Sequence, residues 1–131
     1  MWLTLSKEVL IKREVINSIL TYAKIFHPRE SILLLRGRKD KNRIILDEVV
    51  IPPLSTHGNS FSSFPINMLP IDFSIMGTAH SHPSGVLRPS IEDLNKFYGR
   101  LMLITSYPYD SDKDLAVFSR GGTPVNYGTF E

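Results

Sequence analysis

The sequence predicts an α/β fold: one domain over residues 1–131, a mixed β-sheet flanked by helices. Three observations lead there. Short apolar runs and longer amphipathic stretches follow one another without strict strand–helix–strand repetition, which favours a mixed sheet over a purely parallel one. At 131 residues the chain is long enough for a single core and short for two. No internal repeat or low-complexity segment divides it.

Taken in order, Trp2 to Leu5 reads as a short strand ending at Ser6. From about Leu10 to Phe26, the residues Ile11, Val15, Ile16, Ile19, Leu20, Ala23 and Phe26 recur at steps of three and four. They form one apolar stripe of a helix, with Ser6 or a neighbour as its cap and Pro28 closing it. Ile32 to Leu35 and Arg43 to Ile51 read as two strands of a hairpin, joined by the charged turn Gly37 to Asn42 and stopped by Pro52-Pro53. Leu54 to Pro70 has no period and reads as a long surface loop of the kind that often carries function. Ile71 to Ala79 is a third strand, running straight into His80 and His82. After the loop Pro83 to Pro89, a helix is expected from Ser90 to about Gly99. Strands follow at Leu101 to Thr105 and Leu115 to Phe118, and Gly121-Gly122 and Pro124 lead into an extended tail.

Composition excludes several classes of function. With 15 basic and 13 acidic residues the net charge is +2, too small a surplus to draw nucleic acid or anionic membrane. There is no cysteine, so disulfides, thiolate metal ligands and a cysteine nucleophile are all absent. No apolar run approaches the roughly 20 residues of a membrane span, and Met1 to Ser6 lacks the pattern of a secretion signal. A cytoplasmic protein without a membrane partner is the expectation.

The chemistry concentrates between His80 and Asp93. In an extended strand, residues two apart share a face, so His80 and His82 present two imidazoles side by side while Ser81 faces away. Pro83 ends the ladder, Gly85 permits a bend, and Ser90 opens a helix whose first turn contains Asp93. A carboxylate there can turn back toward the imidazoles. Two imidazoles and one carboxylate suit Zn²⁺, although Fe²⁺ and other first-row ions accept similar sets. Three protein ligands leave a fourth position for water, as in catalytic zinc sites. The bland alternative is that Ser90 is an N-cap, with Glu92 and Asp93 as first-turn acids, a role worth about 1 kcal/mol.

His80-Ser81-His82-Pro83, six residues, Ser90, two residues and Asp93 resemble the signature of the JAMM/MPN+ metalloprotease family. The resemblance runs from about Leu3 to Ser106 and implies the family's cytidine deaminase-like architecture. It also implies an upstream glutamate, and Glu30 in Pro28-Arg29-Glu30-Ser31-Ile32 occupies that place. One departure is Leu33, where the family usually has glycine; Gly37 matches its second glycine. On this resemblance His80, His82 and Asp93 hold Zn²⁺, Glu30 is the general base, and Ser90 helps hold the oxyanion. The bland alternative for Glu30 is an exposed acid between a helix and a strand.

The resemblance implies a zinc isopeptidase or peptidase cutting after the extended C-terminal tail of a ubiquitin-like or sulfur-carrier protein, and it leaves a homodimer open. The chain has no room for the large insertions of eukaryotic members, so the short stand-alone prokaryotic type is the nearer likeness. Two alternatives stand beside it: a non-catalytic scaffold of the same fold, and a RadC-like protein associated with DNA. The scaffold reading is weakened by the full residue set, and the DNA reading by the lack of a basic stripe. Of the remaining residues, His27 is expected at a helix end, where a cation favours the dipole. His57 is expected in a surface turn or at the border of the substrate groove, and Phe61, Phe64 and Met68 under the long loop or beside a bound peptide.

Overall fold

The computed structural model describes residues 7–52 and 72–131. The expected strand Trp2 to Leu5, the loop Leu54 to Pro70, His57, Phe61, Phe64 and Met68 therefore lie outside the described residues. Eight strands form one sheet: β1 (Glu8–Lys12), β2 (Ile32–Lys39), β3 (Arg43–Val50), β4 (Ile75–His82), β5 (Leu101–Ser106), β6 (Leu115–Ser119), β7 (Pro124–Val125) and β8 (Gly128–Phe130). Among the described residues two α-helices accompany them, α1 (Arg13–Phe26) and α2 (Ile91–Asn95), with a 3₁₀ turn at Asp112–Asp114. The sheet order is β7-β6-β5-β4-β2-β3-β1-β8. β1 runs parallel to both β3 and β8, and β4 runs parallel to β5. The remaining neighbours are antiparallel, so the sheet is mixed as the sequence predicts.

The helix start is corrected. Leu10 and Ile11 belong to β1, and α1 begins at Arg13 with Lys12 as a cap that contributes no side-chain hydrogen bond. The residues just before the helix obey a period of two: Val9 and Ile11 are both buried, and Ile11 pairs with Leu46 on one side and Thr129 on the other. The stripe of α1 that is buried is Val15, Ile16, Ile19, Leu20 and Ala23. It packs against Leu33, Leu35, Leu46, Leu101, Leu103 and Val117 from one face of the sheet. His27 ends the helix in extended geometry (ψ 134°), as a residue preceding proline must.

The hairpin is present and longer than expected, because β2 continues to Lys39. Asp40 makes its turn, with Oδ1 accepting from the Asn42 and Arg43 amides at 2.8 and 2.9 Å. A register shift at Arg36/Gly37 brings the chains so close that a side chain at Gly37 would collide with the Ile45 carbonyl. β4 begins at Ile75, after a turn in which Asp72 Oδ1 accepts from the Ser74 amide and hydroxyl at 2.9 and 2.6 Å. At its other end β4 runs through His82, so both histidines lie at the end of the strand as expected. The helix expected over 90–99 is confined to α2, a single turn with no buried residue. Past it, Phe97 leaves the helix to join Met102, Ile104 and Phe118 in a second apolar cluster on the sheet face away from α1.

The tail is not free. β7 pairs with β6 at one edge of the sheet and β8 with β1 at the other. Flat, eight strands would set those edges about 33 Å apart. From Val125 to Gly128 there are three Cα steps, at most about 11 Å. The sheet therefore curls until its edges meet, and Asn126-Tyr127 closes it like a strap. Tyr127 donates to Asp112 Oδ2 at 3.1 Å, and Arg13 reaches both oxygens of the same carboxylate at 2.8 and 3.3 Å. Among the described residues, no helix is long and apolar enough to cross a membrane.

Candidate metal centre

In the register of β4 on β5, Thr78, His80 and His82 lie beside Met102, Ile104 and Ser106, on the face away from α1. The two imidazoles thus emerge side by side at the C-terminal end of a central strand, beside the second apolar cluster. His80 is 6% exposed, and His82 is half-buried. α2 faces them. Ser90 and Asp93 form a reciprocal cap, Asp93 N–H donating to Ser90 Oγ at 3.0 Å and Ser90 N–H to Asp93 Oδ2 at 2.9 Å. This cap turns the carboxylate toward β4, where Oδ1 lies 3.5 Å from His80 Nδ1 and Oδ2 lies 3.1 Å from His82 Nε2. Capping and facing the imidazoles are done by one rotamer of one side chain.

Each histidine is oriented from behind. His82 Nδ1 lies 2.9 Å from the Val86 carbonyl, which can only accept, so that nitrogen carries a proton and Nε2 faces Asp93. His80 Nε2 lies 3.1 Å from Thr78 Oγ1. Burial pushes the His80 pKa down to about 4, against the pull of Asp93, and keeps the ring neutral at pH 7. For His82 burial acts in the same direction, but the hydrogen bonds to Asp93 and Val86 outweigh it and the pKa rises. Burial would raise the pKa of Asp93; hydrogen bonds from His82 and the Ser90 amide, with the nearby imidazoles, take it well below the usual carboxylate range. A neutral imidazole, an imidazole with one nitrogen already committed and an ionised carboxylate are the donor types a first-row divalent cation takes.

The donor set fits such an ion in kind. As placed, the imidazoles address different oxygens of Asp93, and no three His, Asp or Glu side chains among the described residues close around a single point. The three groups are gathered by their own hydrogen bonds. The separations of 3.1 and 3.5 Å are near the 3.3 Å or so between ligand atoms about a tetrahedral zinc with bonds of about 2.0–2.1 Å.

Glu30 stands apart from this cluster. Its side chain is exposed and makes no hydrogen bond or ion pair among the described residues. Its negative charge nevertheless raises the pKa of both His82 and Tyr109, so it borders the site without joining it. Sequence reasoning missed the residues around it. His27 Nδ1 lies 2.9 Å from Tyr109 Oη, and its ring stacks on Tyr107 at 4.6 Å. Tyr107 N–H donates to the His82 carbonyl at 3.3 Å. His27 is at the helix end as expected, with its ring engaged by two tyrosines. The only signal for this aromatic group was the local density of rings in Tyr107-Pro108-Tyr109; its meeting with His27 depends on the fold.

Comparison with known proteins agrees with the geometry. The family model for prokaryotic homologs of the JAB domain matches residues 12–120, more than half of the chain. A probable metalloprotease of Haloferax volcanii is 34% identical over 125 residues, covering 89% of this chain and 77% of its own. The crystal structure of a JAB1/MPN domain protein from Archaeoglobus fulgidus superposes with a TM-score of 0.69 at 35% identity, covering 95% of this chain and 99% of that one. A second structure, described as a JAMM, a metalloprotease-like zinc site in the proteasome and signalosome, gives 0.68 at 32% identity, with 96% and 100% covered. With the strand-end histidines, the capped aspartate and the curled mixed sheet in place, the chain belongs to the prokaryotic homologs of the JAB domain, the short form of the JAMM/MPN+ family.

Proposed function

We propose that the protein is a zinc metallopeptidase that cleaves peptide or isopeptide bonds following the extended C-terminal tail of a ubiquitin-like or sulfur-carrier protein. The observation that carries the reading is the convergence of His80, His82 and Asp93 at the end of β4, with the charge of Glu30 acting on His82. The names of the relatives support the activity class, while the tail is an inference from the family resemblance. His80, His82 and Asp93 would hold the ion. A bound zinc would supply a Lewis acid and bring the pKa of a water from 15.7 to about 7.

The protein's own groups do the rest. Glu30, whose side chain makes no hydrogen bond or ion pair among the described residues, accepts the proton of the attacking water and delivers it to the leaving amine. Ser90 Oγ uses one lone pair to accept from Asp93 N–H, which leaves its hydroxyl hydrogen for the developing oxyanion. β4 is paired on both sides, by β2 and β5. The β2 ladder reaches only to His80, so a substrate tail cannot add beside that histidine. Its backbone would pair with the chain that leaves β4, residues 83–89.

The test compares the zinc-loaded protein with Glu30→Gln on a ubiquitin-like fusion carrying a Gly-Gly tail. Equal zinc content and a loss of cleavage of at least about 100-fold are expected. Lost zinc would make Glu30 a ligand, and unchanged cleavage would remove it as the base. Failure of the wild type to retain zinc after metal-replete preparation would sink the enzyme reading.

A further inference from the structure

Among the described residues no hydrogen bond or ion pair holds the Glu30 side chain, so its neighbours along the chain set its place. The next residue, Ser31, is 4% exposed and is bound three times by one partner, Ser81, which is 2% exposed. Ser31 N–H donates to Ser81 Oγ at 2.8 Å, and the two hydroxyls share a hydrogen bond of 3.0 Å. Ser81 N–H donates to the Ser31 carbonyl at 3.0 Å. Three residues before Glu30, His27 is held through Tyr109 and Tyr107. Only Pro28 and Arg29 intervene, and the Arg29 amide is tied to the Phe26 carbonyl at 2.8 Å. Glu30 is thus strung between two anchors.

Ser81 is also the residue between His80 and His82, with its side chain on the opposite face of β4. We propose that Ser81 is a positioning residue: by clasping Ser31 it fixes Glu30 relative to the two imidazoles. The proposal rests on the reading of Glu30 as the proton-transfer group. Its physical logic is registration. One strand carries both histidines on one face and the anchor of the base on the other, so any shift of β4 moves all three together. A reacting group misplaced by about 1 Å can lose about 100-fold in rate.

The experiment uses the zinc-loaded protein in four forms besides wild type: Ser81→Ala, Ser81→Thr, Glu30→Gln and the double variant Glu30→Gln/Ser81→Ala. Zinc content is expected to be equal in all. Ser81→Ala should lower kcat about 10- to 100-fold with KM unchanged, and Ser81→Thr, which restores a hydroxyl, should recover most of it. In the Glu30→Gln background, Ser81→Ala should cost nothing further in single-turnover rate, because a residue acting through Glu30 has nothing left to position. Amide hydrogen exchange gives a readout independent of activity: protection of Ser31 falls in Ser81→Ala and returns in Ser81→Thr, while that of Ile104 is unchanged. Should Ser81→Ala not fold, Ser31→Ala removes only the hydroxyl bond and should show a smaller loss with the same non-additivity. A wild-type kcat in Ser81→Ala, or a loss that adds to that of Glu30→Gln, overturns the positioning role. Full activity of Glu30→Gln overturns instead the reading on which it rests.

Discussion

Asp112 joins three parts of the chain through one carboxylate. It takes two hydrogen bonds from Arg13 at the start of α1 and one from Tyr127 in the closing strap. The Arg13 hydrogen bonds, against a smaller opposing effect of burial, lower the Asp112 pKa. Burial and the same carboxylate push the Tyr127 hydroxyl up to about 12. A carboxylate with a depressed folded pKa contributes stability that is present above its unfolded pKa, about 3.9, and lost as pH falls through the folded value. Both partners are partly exposed, so the contribution at neutral pH is about 1 kcal/mol or less. Urea unfolding of the metal-free protein should show Asp112→Asn weaker than wild type by that amount at pH 7, with the gap closing below pH 4. A gap independent of pH would assign the loss to something other than this charge. At this scale the sequence was legible where chemistry is local. The His80–His82 spacing and the Ser90–Asp93 cap depend on a few successive residues and a fixed period. The Ser31–Ser81 clasp and the His27–Tyr109 pair, separated by 50 and 82 positions, depend on which strands become neighbours.

Among the elements, β4 carries the greatest constraint, since it is buried nearly from end to end and paired on both sides. A methyl group added at Gly77 would collide with the backbone carbonyl of Leu101 on β5, an obstacle that no side-chain rotation relieves. Gly77→Ala should therefore destabilise the protein by about 1–3 kcal/mol, seen as a lower thermal midpoint, and should reduce zinc retention because His80 lies three residues further along the same strand. An unchanged midpoint would mean that β4 and β5 can separate at no cost. The elements that sequence reading misplaced share a cause. Leu10 and Ile11 satisfy both the helical stripe and the alternation of a strand, and the pairing of β1 with β3 and β8 decides between them. The helix expected over 90–99 stops at Asn95 because Phe97 is worth more in the apolar cluster with Met102 and Phe118 than on an exposed helix face. Tertiary burial overrides local preference in both cases.

On the scale of the whole molecule, a strap of two residues determines whether the sheet has edges. Deleting residues 126–131 removes β8 from β1 and Tyr127 from Asp112 together. A loss of about 2 kcal/mol is expected from the half-buried Tyr127 and Phe130 side chains. The exposed backbone of β1 should also promote association that depends on concentration, measurable by light scattering. A monomer of unchanged stability would show that the strap is ornament. Closure was not visible in the sequence, where Gly121-Gly122 and Pro124 read as the start of an extended tail; no local pattern tells a two-residue strand that its partner lies at the far edge. The same closure sets an order of events during synthesis. Leu10 pairs with Gly128, so β1 waits for a partner strand made 118 residues later. At about 5–20 residues per second, the interval on the ribosome is about 6–24 s. During that interval β1 lacks its β8 partner, and a chaperone or a second nascent chain meets an edge that β8 covers in the folded protein.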